Sequence, residues 1–219
     1  MTPLLLLALT ASEALSPVTR DKLCVTTGAI ETREGHLLIE ASEVRATVLS
    51  GRARTVEARL RYLGPSATTT PLASGELRRQ FGIKLRAANT CNVVYVMWHV
   101  EPDTHVAVSV KRNPGMTTHA QCDAHGYVTP RPRRRATPPI LEQGTWRVLR
   151  AHLEGAELTV WVDGVIAWEG DLGPTALTFD GPAGLRSDNA AFEFELLQSD
   201  LEPGPALPGS GCRAEAGSE

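Results

Sequence analysis

The chain has 219 residues, 42% of them hydrophobic and 21% charged, which is the balance of an ordinary soluble globular protein. Its length suits one large all-β domain or two small domains. The net charge of −3 is too small to indicate a nucleic-acid partner, and no stretch approaches the ~18 to 20 apolar residues that cross a bilayer.

The chain begins with features of a secretory signal peptide. Residues 4–9 form a short apolar run, and Ser12 and Ala14 are small residues at the positions that precede a cleavage site. The pattern predicts a signal peptide over residues 1–14 and export to a secreted or periplasmic location. Because no basic residue precedes the run, a buried strand or helix is the alternative.

Alternating apolar and polar residues recur along the rest of the chain. A period of two is typical of strands that place one face against a core. Clusters of Gly, Pro and Asn separate these runs, as turns do. The predicted strands lie within residues 56–62, 81–86, 93–100, 105–111, 158–168 and 192–196.

Between two of these strands lies a proline-rich, basic segment, residues 130–139. It contains three successive arginines, Arg133, Arg134 and Arg135. The composition predicts a solvated loop, and contact with an anion is the alternative interpretation.

Residues 158–168 read as a hairpin, because Asp163-Gly164 supplies the positive φ angles of a two-residue turn. Leu158 and Val160 alternate onto one side of the first strand, whereas Trp161 takes the polar side. A tryptophan in that position is either shielded by a neighbour or offered to a ligand. Three other tryptophans are predicted to be in the core: Trp98, Trp146 and Trp168.

Many short strands with regularly spaced turns predict an all-β fold, a two-sheet antiparallel β-sandwich of the jelly-roll type. Two sheets with one apolar face each can pack together and leave their outer faces in water. The predicted domain covers residues 24–198. Residues 199–219 are rich in Pro, Gly, Ala and Glu, and they are predicted to form a flexible tail.

Four cysteines in an exported chain predict two disulfides. Cys91 and Cys122 lie at the edges of neighbouring predicted strands, and a bond between Cys24 and Cys212 would join the chain ends. Other pairings remain possible, as do four free thiols in a cytosolic protein. Residues 119–125 also offer imidazole and thiolate groups for zinc, but structural zinc usually has four ligands and Cys122 is already assigned to a disulfide.

Three segments carry a family resemblance: residues 144–146, 158–164 and 181–194. These segments resemble the concanavalin A-like lectin/glucanase superfamily, including laminin G-like domains. The shared features are a Trp before one strand, an apolar strand ending in Asp-Gly, and a Gly-hydrophobic segment before a Phe-rich last strand. The resemblance implies a sheet face that often holds glycans. Hydrolases of that superfamily carry Glu-x-Asp-x-x-Glu or Glu-x-Asp-x-Glu, and neither spacing occurs here, which disfavours their retaining mechanism.

The polar faces of the central strands collect cationic and aromatic side chains. An indole packs against the C–H face of a sugar, while His, Lys and Arg bind hydroxyls and carboxylates. We therefore predict a non-catalytic module that binds a poly- or oligosaccharide, anionic ones included, without a cofactor. A structural or protein-interaction module, in which these residues merely face solvent, is one alternative. The predicted ligand-binding residues are Trp161, Tyr95, His99, Arg86, Lys84, Lys111 and His105.

The other alternative is an enzyme that acts on an anionic polysaccharide. Residues 74–79, Ser-Gly-Glu-Leu-Arg-Arg, resemble part of the Arg-Ser/Thr-Glu-Leu-Arg motif of alginate-lyase-like jelly rolls. The Gln-Ile/Val-His and Tyr-Phe-Lys-Ala-Gly motifs of that family are absent. A lyase needs a cation, a base and an acid, and Arg78, His99 and Tyr95 are among the residues that could supply them.

Overall fold

A computed structural model of the chain describes residues 14–49, 51–72 and 74–199. Most of the predicted signal peptide, the tail beyond residue 199 and Cys212 lie outside the described residues. Strands dominate the described ranges and the helices are short, so the predicted all-β class is confirmed. None of the helices within these ranges is long and apolar enough to span a membrane.

The strands follow one another with short connections. A 3-10 turn at Arg20–Lys22, a single α-helical turn α1 at His119–Cys122 and a 3-10 turn at Pro174–Leu177 interrupt them. The strands are β1 (Leu15–Pro17), β2 (Leu23–Thr27), β3 (Glu31–Arg33), β4 (His36–Ile39), β5 (Glu43–Val48), β6 (Thr55–Pro65), β7 (Arg79–Asn89), β8 (Asn92–Glu101), β9 (His105–Arg112), β10 (Tyr127–Val128), β11 (Arg134–Arg135), β12 (Trp146–Glu154), β13 (Glu157–Val162), β14 (Val165–Asp171), β15 (Gly184–Asp188) and β16 (Ala190–Ser199).

These strands form two antiparallel sheets that pack as the predicted sandwich. The seven-stranded sheet has the order β10-β9-β8-β7-β15-β5-β2. The nine-stranded sheet has the order β11-β14-β13-β12-β6-β16-β4-β3, and β1 pairs with the end of β16. Sheet pairing therefore includes Leu15–Pro17, before the predicted domain start, and it extends to Ser199.

The core lies between the sheets and is built from the apolar side of each strand. Phe81 of the seven-stranded sheet contacts Phe192 and Phe194 of the other sheet, with ring centroids 5.2 and 5.4 Å apart. The predicted inward residues of β6, β8, β9, β13 and β16 are all buried. Burial of apolar surface on both sheets is the main force that holds the sandwich together.

The Asp163-Gly164 hairpin is confirmed. Asp163 and Gly164 both have positive φ angles, 49° and 78°, and they join β13 to β14. These angles match the two-residue turn whose twist suits paired antiparallel strands.

Two of the three tryptophans that the sequence predicts to be in the core are buried, Trp98 and Trp168. The prediction for Trp146 is wrong, because its side chain is 41% exposed at the start of β12. It lies on the outer face of the nine-stranded sheet, between the ring of His36 and the guanidinium of Arg61.

The Cys91–Cys122 disulfide is also confirmed, with the two Cα atoms 5.8 Å apart. Cys122 is therefore unavailable as a thiolate, which removes the zinc interpretation of residues 119–125. Cys24 is disulfide-bonded as well. Since Cys212 lies outside the described residues, its pairing with Cys24 stays a prediction.

Candidate functional site

A groove of about 380 Å³ lies on the outer face of the seven-stranded sheet, which is within the size range of small-molecule sites. Strands β5, β7, β8, β9 and β15 form its floor, and Leu72, Ser74, Arg78 and residues within 119–129 form its walls. It is lined by Glu43, Arg45, Leu72, Ser74, Arg78, Gln80, Tyr95, Met97, His99, Ala107, Val108, Ser109, Lys111, His119, Asp123, Ala124, Tyr127, Thr129 and Arg186.

The wall formed by residues 119–129 is fastened to the sheet. The disulfide ties Cys122 in α1 to Cys91 in the turn between β7 and β8. In addition, Lys111 of β9 donates a hydrogen bond from Nζ to the backbone oxygen of Asp123 at 2.6 Å. Lys111 is buried, so this cation helps to hold the wall in place.

Two stacked aromatic rings, each with a cation beside it, lie along one side of the groove. The rings of Tyr95 and Tyr127 stack with centroids 6.2 Å apart. The guanidinium of Arg186 lies 5.5 Å from the centre of the Tyr95 ring, and Lys111 Nζ lies 5.2 Å from that of Tyr127. Tyr127 is 42% exposed, so part of its ring remains accessible to a ligand.

A buried carboxylate, Asp188, organises the floor. Its Oδ1 accepts a hydrogen bond from Arg45 Nη2 at 2.6 Å, and its Oδ2 accepts from Gln80 Nε2 at 2.6 Å and Arg186 Nε at 2.9 Å. Burial by itself would raise the pKa of Asp188, but Arg186 and Arg45 lower it to about 2. Asp188 is therefore ionised and fixes the three donors around it.

This network leaves polar groups at the groove with no partner. Neither Nη nitrogen of Arg186 has a hydrogen-bond partner within the described ranges, although the side chain is only 13% exposed. The Oε1 atom of Gln80 is buried and also accepts no hydrogen bond there. Burial opposes the charge on Arg186, yet Asp188 and Tyr95 raise its pKa well above its usual value. The floor thus presents the two Nη donors of Arg186 to the groove. Polar groups that are this deeply buried rarely lack a hydrogen-bond partner.

His99 adds a neutral imidazole beside these groups. It is 5% exposed, and its ring centroid lies 4.1 Å from that of His105. Burial, then the charges of His105 and Arg78, lower the pKa of His99 to about 3. At neutral pH its ring therefore carries one hydrogen-bond donor and one acceptor.

The structure brings three of the seven predicted site residues into the groove: Tyr95, His99 and Lys111. Lys84 and His105 lie on the same outer face, opposite Tyr95 and His99 in the neighbouring strands, but they do not line the groove. Strands β7, β8 and β9 are neighbours in the sheet, which a site shared by their polar faces requires.

The predicted position of Arg86 is wrong. Strand β7 has a bulge after Leu85, and Arg86 adopts a φ of 49° there. A bulge interrupts the alternation and redirects the side chain. Arg86 instead donates hydrogen bonds to the backbone oxygens of Ala176 and Gly155, at 2.5 and 2.7 Å, away from the groove.

The predicted position of Trp161 is also wrong. Trp161 is on β13 of the nine-stranded sheet, where it lies opposite Arg150 of β12. It therefore cannot share a face with Tyr95 or His99. The alternation correctly placed Trp161 away from the core, but it carries no information on which sheet a strand joins.

Four residues of the groove or its floor were not predicted from the sequence: Gln80, Tyr127, Arg186 and Asp188. The alternation of β15 does place Arg186 and Asp188 opposite the buried Leu185, so a signal for their outward orientation was present. Their role depends on β15 pairing between β5 and β7, which residue spacing does not reveal.

No protein-family model and no curated protein sequence matches this chain. Solved structures do share its fold. The carbohydrate-binding module CBM66 from Bacillus subtilis has a TM-score of 0.54 at 12% identity, covering 79% of this chain and 91% of that chain. The metal-free Emp46p carbohydrate recognition domain has a TM-score of 0.53 at 10% identity, covering 83% and 89%. Crh5 transglycosylase in complex with NAG has a TM-score of 0.50 at 12% identity, covering 88% and 86%. These similarities show that the chain shares a β-sandwich fold with the three structures.

Proposed function

We propose that this protein binds an acidic carbohydrate in the groove of the seven-stranded sheet and does not transform it. The observation that carries the proposal is the pair of Nη donors of Arg186 in the floor, which have no hydrogen-bond partner among the described residues. A sugar carboxylate offers two oxygens to a guanidinium.

The rest of the groove suits the same ligand. The accessible part of the Tyr127 ring can pack against the C–H face of a sugar, and His99 can exchange hydrogen bonds with hydroxyls. The residues that line the groove include four cationic and two carboxylate side chains. When the buried Asp188 beneath them is included, four positive charges still exceed three negative charges. An acidic sugar is therefore favoured over a neutral one.

The fold supports the carbohydrate class of the ligand. Two of the solved structures that share it are named as a carbohydrate-binding module and a carbohydrate recognition domain. The absence of the hydrolase carboxylate spacing from the sequence favours binding over hydrolysis.

Isothermal titration with alginate, polygalacturonate and a neutral glucan tests the proposal. We expect the acidic polymers to bind and Arg186→Met to weaken that binding about 10- to 150-fold, since a hydrogen bond to a charged group contributes about 1.5–3 kcal/mol. Arg186→Lys keeps the charge but not the planar pair of donors, so it should restore only part of the affinity. Trp161→Ala on the other sheet is the control and should bind like the wild type.

Thermal unfolding of each variant shows whether it is folded. Equal affinity of folded Arg186→Met and wild-type protein for the acidic polymers would contradict the site. If no polymer binds the wild type, a structural or protein-interaction module becomes the better interpretation.

A lyase acting on the same class of ligand is the second candidate, because the groove places the imidazole of His99, the phenol of Tyr95 and the guanidinium of Arg186 together. The pKa of His99, about 3, makes it a weak base, which favours binding over proton abstraction. Residues 74–78 precede β7 and do not lie on a strand, unlike the lyase motif they resemble. A rise in ultraviolet absorbance from unsaturated product after mixing with alginate would favour the lyase.

Export is part of the proposal and is supported by the disulfides, which persist in oxidising compartments. Expression of the full chain with its own N-terminus, followed by N-terminal sequencing of the secreted protein, tests cleavage after Ala14.

A further inference from the structure

We infer that the binding site continues beyond the groove along three arginines, Arg131, Arg134 and Arg135, so that the ligand is a long acidic polysaccharide. We call these three residues the arginine track. This inference rests on the proposed function, because it extends the same site to further sugars of one chain.

The arginine track starts where the groove ends. Tyr127 and Thr129 line the groove next to β10, the edge strand of the seven-stranded sheet. The chain then passes to β11, the edge strand of the nine-stranded sheet, and the neighbouring strands β9 and β14 contact each other on that side. Arg131 is two residues after Thr129, so their Cα atoms are at most about 7 Å apart. A polymer that leaves the groove past Thr129 therefore meets Arg131 first. Arg134 and Arg135 follow on the two sides of the edge strand β11.

The backbone of this segment is held in place. Arg133 N donates to the Glu169 backbone oxygen at 2.7 Å, and Ala136 N donates to that of Ala167 at 3.1 Å. Between them, β11 pairs with β14. Prolines at 130 and 132 further restrict the chain. A backbone that is ordered before binding has less conformational entropy to lose when a ligand binds.

The three arginines of the track have no ion-pair partner among the described residues, whereas Arg133, which lies between them in the sequence, has two. Arg133 forms ion pairs with Glu157 at 2.6 Å and Glu169 at 3.4 Å. Arg131, Arg134 and Arg135 are exposed, and none of them makes an ion pair or side-chain hydrogen bond with the residues that the structure describes. One cation therefore fixes the segment, and three remain for an anionic partner.

The consequence is a dependence on ligand length. A short oligosaccharide fills the groove and does not reach the arginine track, whereas a polymer contacts both. An exposed ion pair changes affinity by roughly 1.4- to 5-fold, so three of them should contribute about tenfold to polymer binding. Because these contacts are exposed, added salt should remove their contribution.

The test compares alginate polymer with alginate trisaccharide, titrated into the full chain. We expect the combined substitution Arg131→Gln, Arg134→Gln and Arg135→Gln to weaken polymer binding about tenfold at low salt and to leave trisaccharide binding unchanged. A matched triple variant removes three exposed arginines elsewhere and should change neither affinity: Arg33→Gln, Arg54→Gln and Arg59→Gln.

The outcomes separate this inference from the proposed function. Equal polymer affinity of the track variant and the wild type, with trisaccharide binding intact, overturns the extension and leaves the groove site standing. Equal weakening by the matched variant also overturns it, because the effect would then be one of overall charge. If Arg186→Met leaves polymer binding intact and the track variant abolishes it, the groove proposal fails and the continuous site fails with it. If the wild type binds neither ligand, both proposals are wrong.

Discussion

The outer faces of both sheets carry arginines and acidic residues, but these residues are paired differently on the two faces. On the nine-stranded sheet, arginines and glutamates face each other across neighbouring strands. Arg61 forms an ion pair with Glu193, and Arg59 lies 2.9 Å from Glu57 and 3.6 Å from Glu195. The charges in these pairs neutralise one another.

On the seven-stranded sheet a single buried carboxylate serves several donors. Asp188 accepts hydrogen bonds from Arg45, Arg186 and Gln80, yet the Nη groups of Arg186 remain without a partner among the described residues. The difference shows that charge composition alone does not make a binding face. On the nine-stranded sheet the arginines of these pairs are at least 35% exposed and each has a carboxylate partner. On the seven-stranded sheet the buried Asp188 fixes Arg186, which is 13% exposed, and leaves its Nη donors for a ligand.

The largest expected difference is in stability. Asp188→Ala should lower the free energy of unfolding by about 3–5 kcal/mol, because it leaves two arginines without their buried partner. Glu195→Ala, which removes a carboxylate that is 40% exposed on the other face, should cost less than about 1 kcal/mol. Urea unfolding of both variants measures this contrast, and similar losses would show that the two networks are equivalent.

The next effect concerns the wall of the groove. The disulfide closes a loop with a sequence separation of 31, and replacing both Cys91 and Cys122 by Ser should cost about 2–4 kcal/mol. Since this bond also holds residues 119–129 in place, the double variant should bind alginate more weakly in titration. Wild-type affinity in a folded double variant would show that the wall does not contribute to the site.

His99 should make the stability depend on pH. The pKa of His99 is about 3 in the folded protein and near 6.5 in an unfolded chain. Between these pH values the His99 imidazole is protonated only in the unfolded state. The contribution of His99 therefore lowers the free energy of unfolding as the pH falls, by about 1.4 kcal/mol per pH unit. In urea unfolding from about pH 6 to about pH 5, His99→Gln should lose correspondingly less stability than the wild type. Parallel pH profiles would contradict the burial of a neutral imidazole.

The smallest effect compares two equally exposed aromatic residues. Tyr127 in the groove is 42% exposed and Trp146 on the nine-stranded sheet is 41% exposed. Tyr127→Ala should weaken alginate binding about 2- to 13-fold, as expected for an aromatic contact of about 0.5–1.5 kcal/mol, while Trp146→Ala should leave it unchanged. A loss of affinity in Trp146→Ala would place a binding surface on the other sheet.

Individual strands show how far sequence reasoning reaches. The inward side of β13, with Leu158 and Val160, and the Asp163-Gly164 turn were predicted correctly, because strand alternation and turn conformation depend on neighbouring residues. Arg86 was misplaced since a bulge changes the alternation at one position. Trp161 was misplaced because two strands with similar patterns belong to different sheets.

The sequence by itself determined the all-β class and the core side of the main strands, and it favoured the Cys91–Cys122 pair. Only the tertiary structure decided that β15 lies between β5 and β7, which joins Arg45 to Asp188 across a separation of 143 residues. The physical reason is that local features depend on adjacent residues, whereas strand order depends on residues far apart in the chain. Alternation follows from the geometry of a single extended backbone, whereas strand order is chosen by the packing of both sheets around one core.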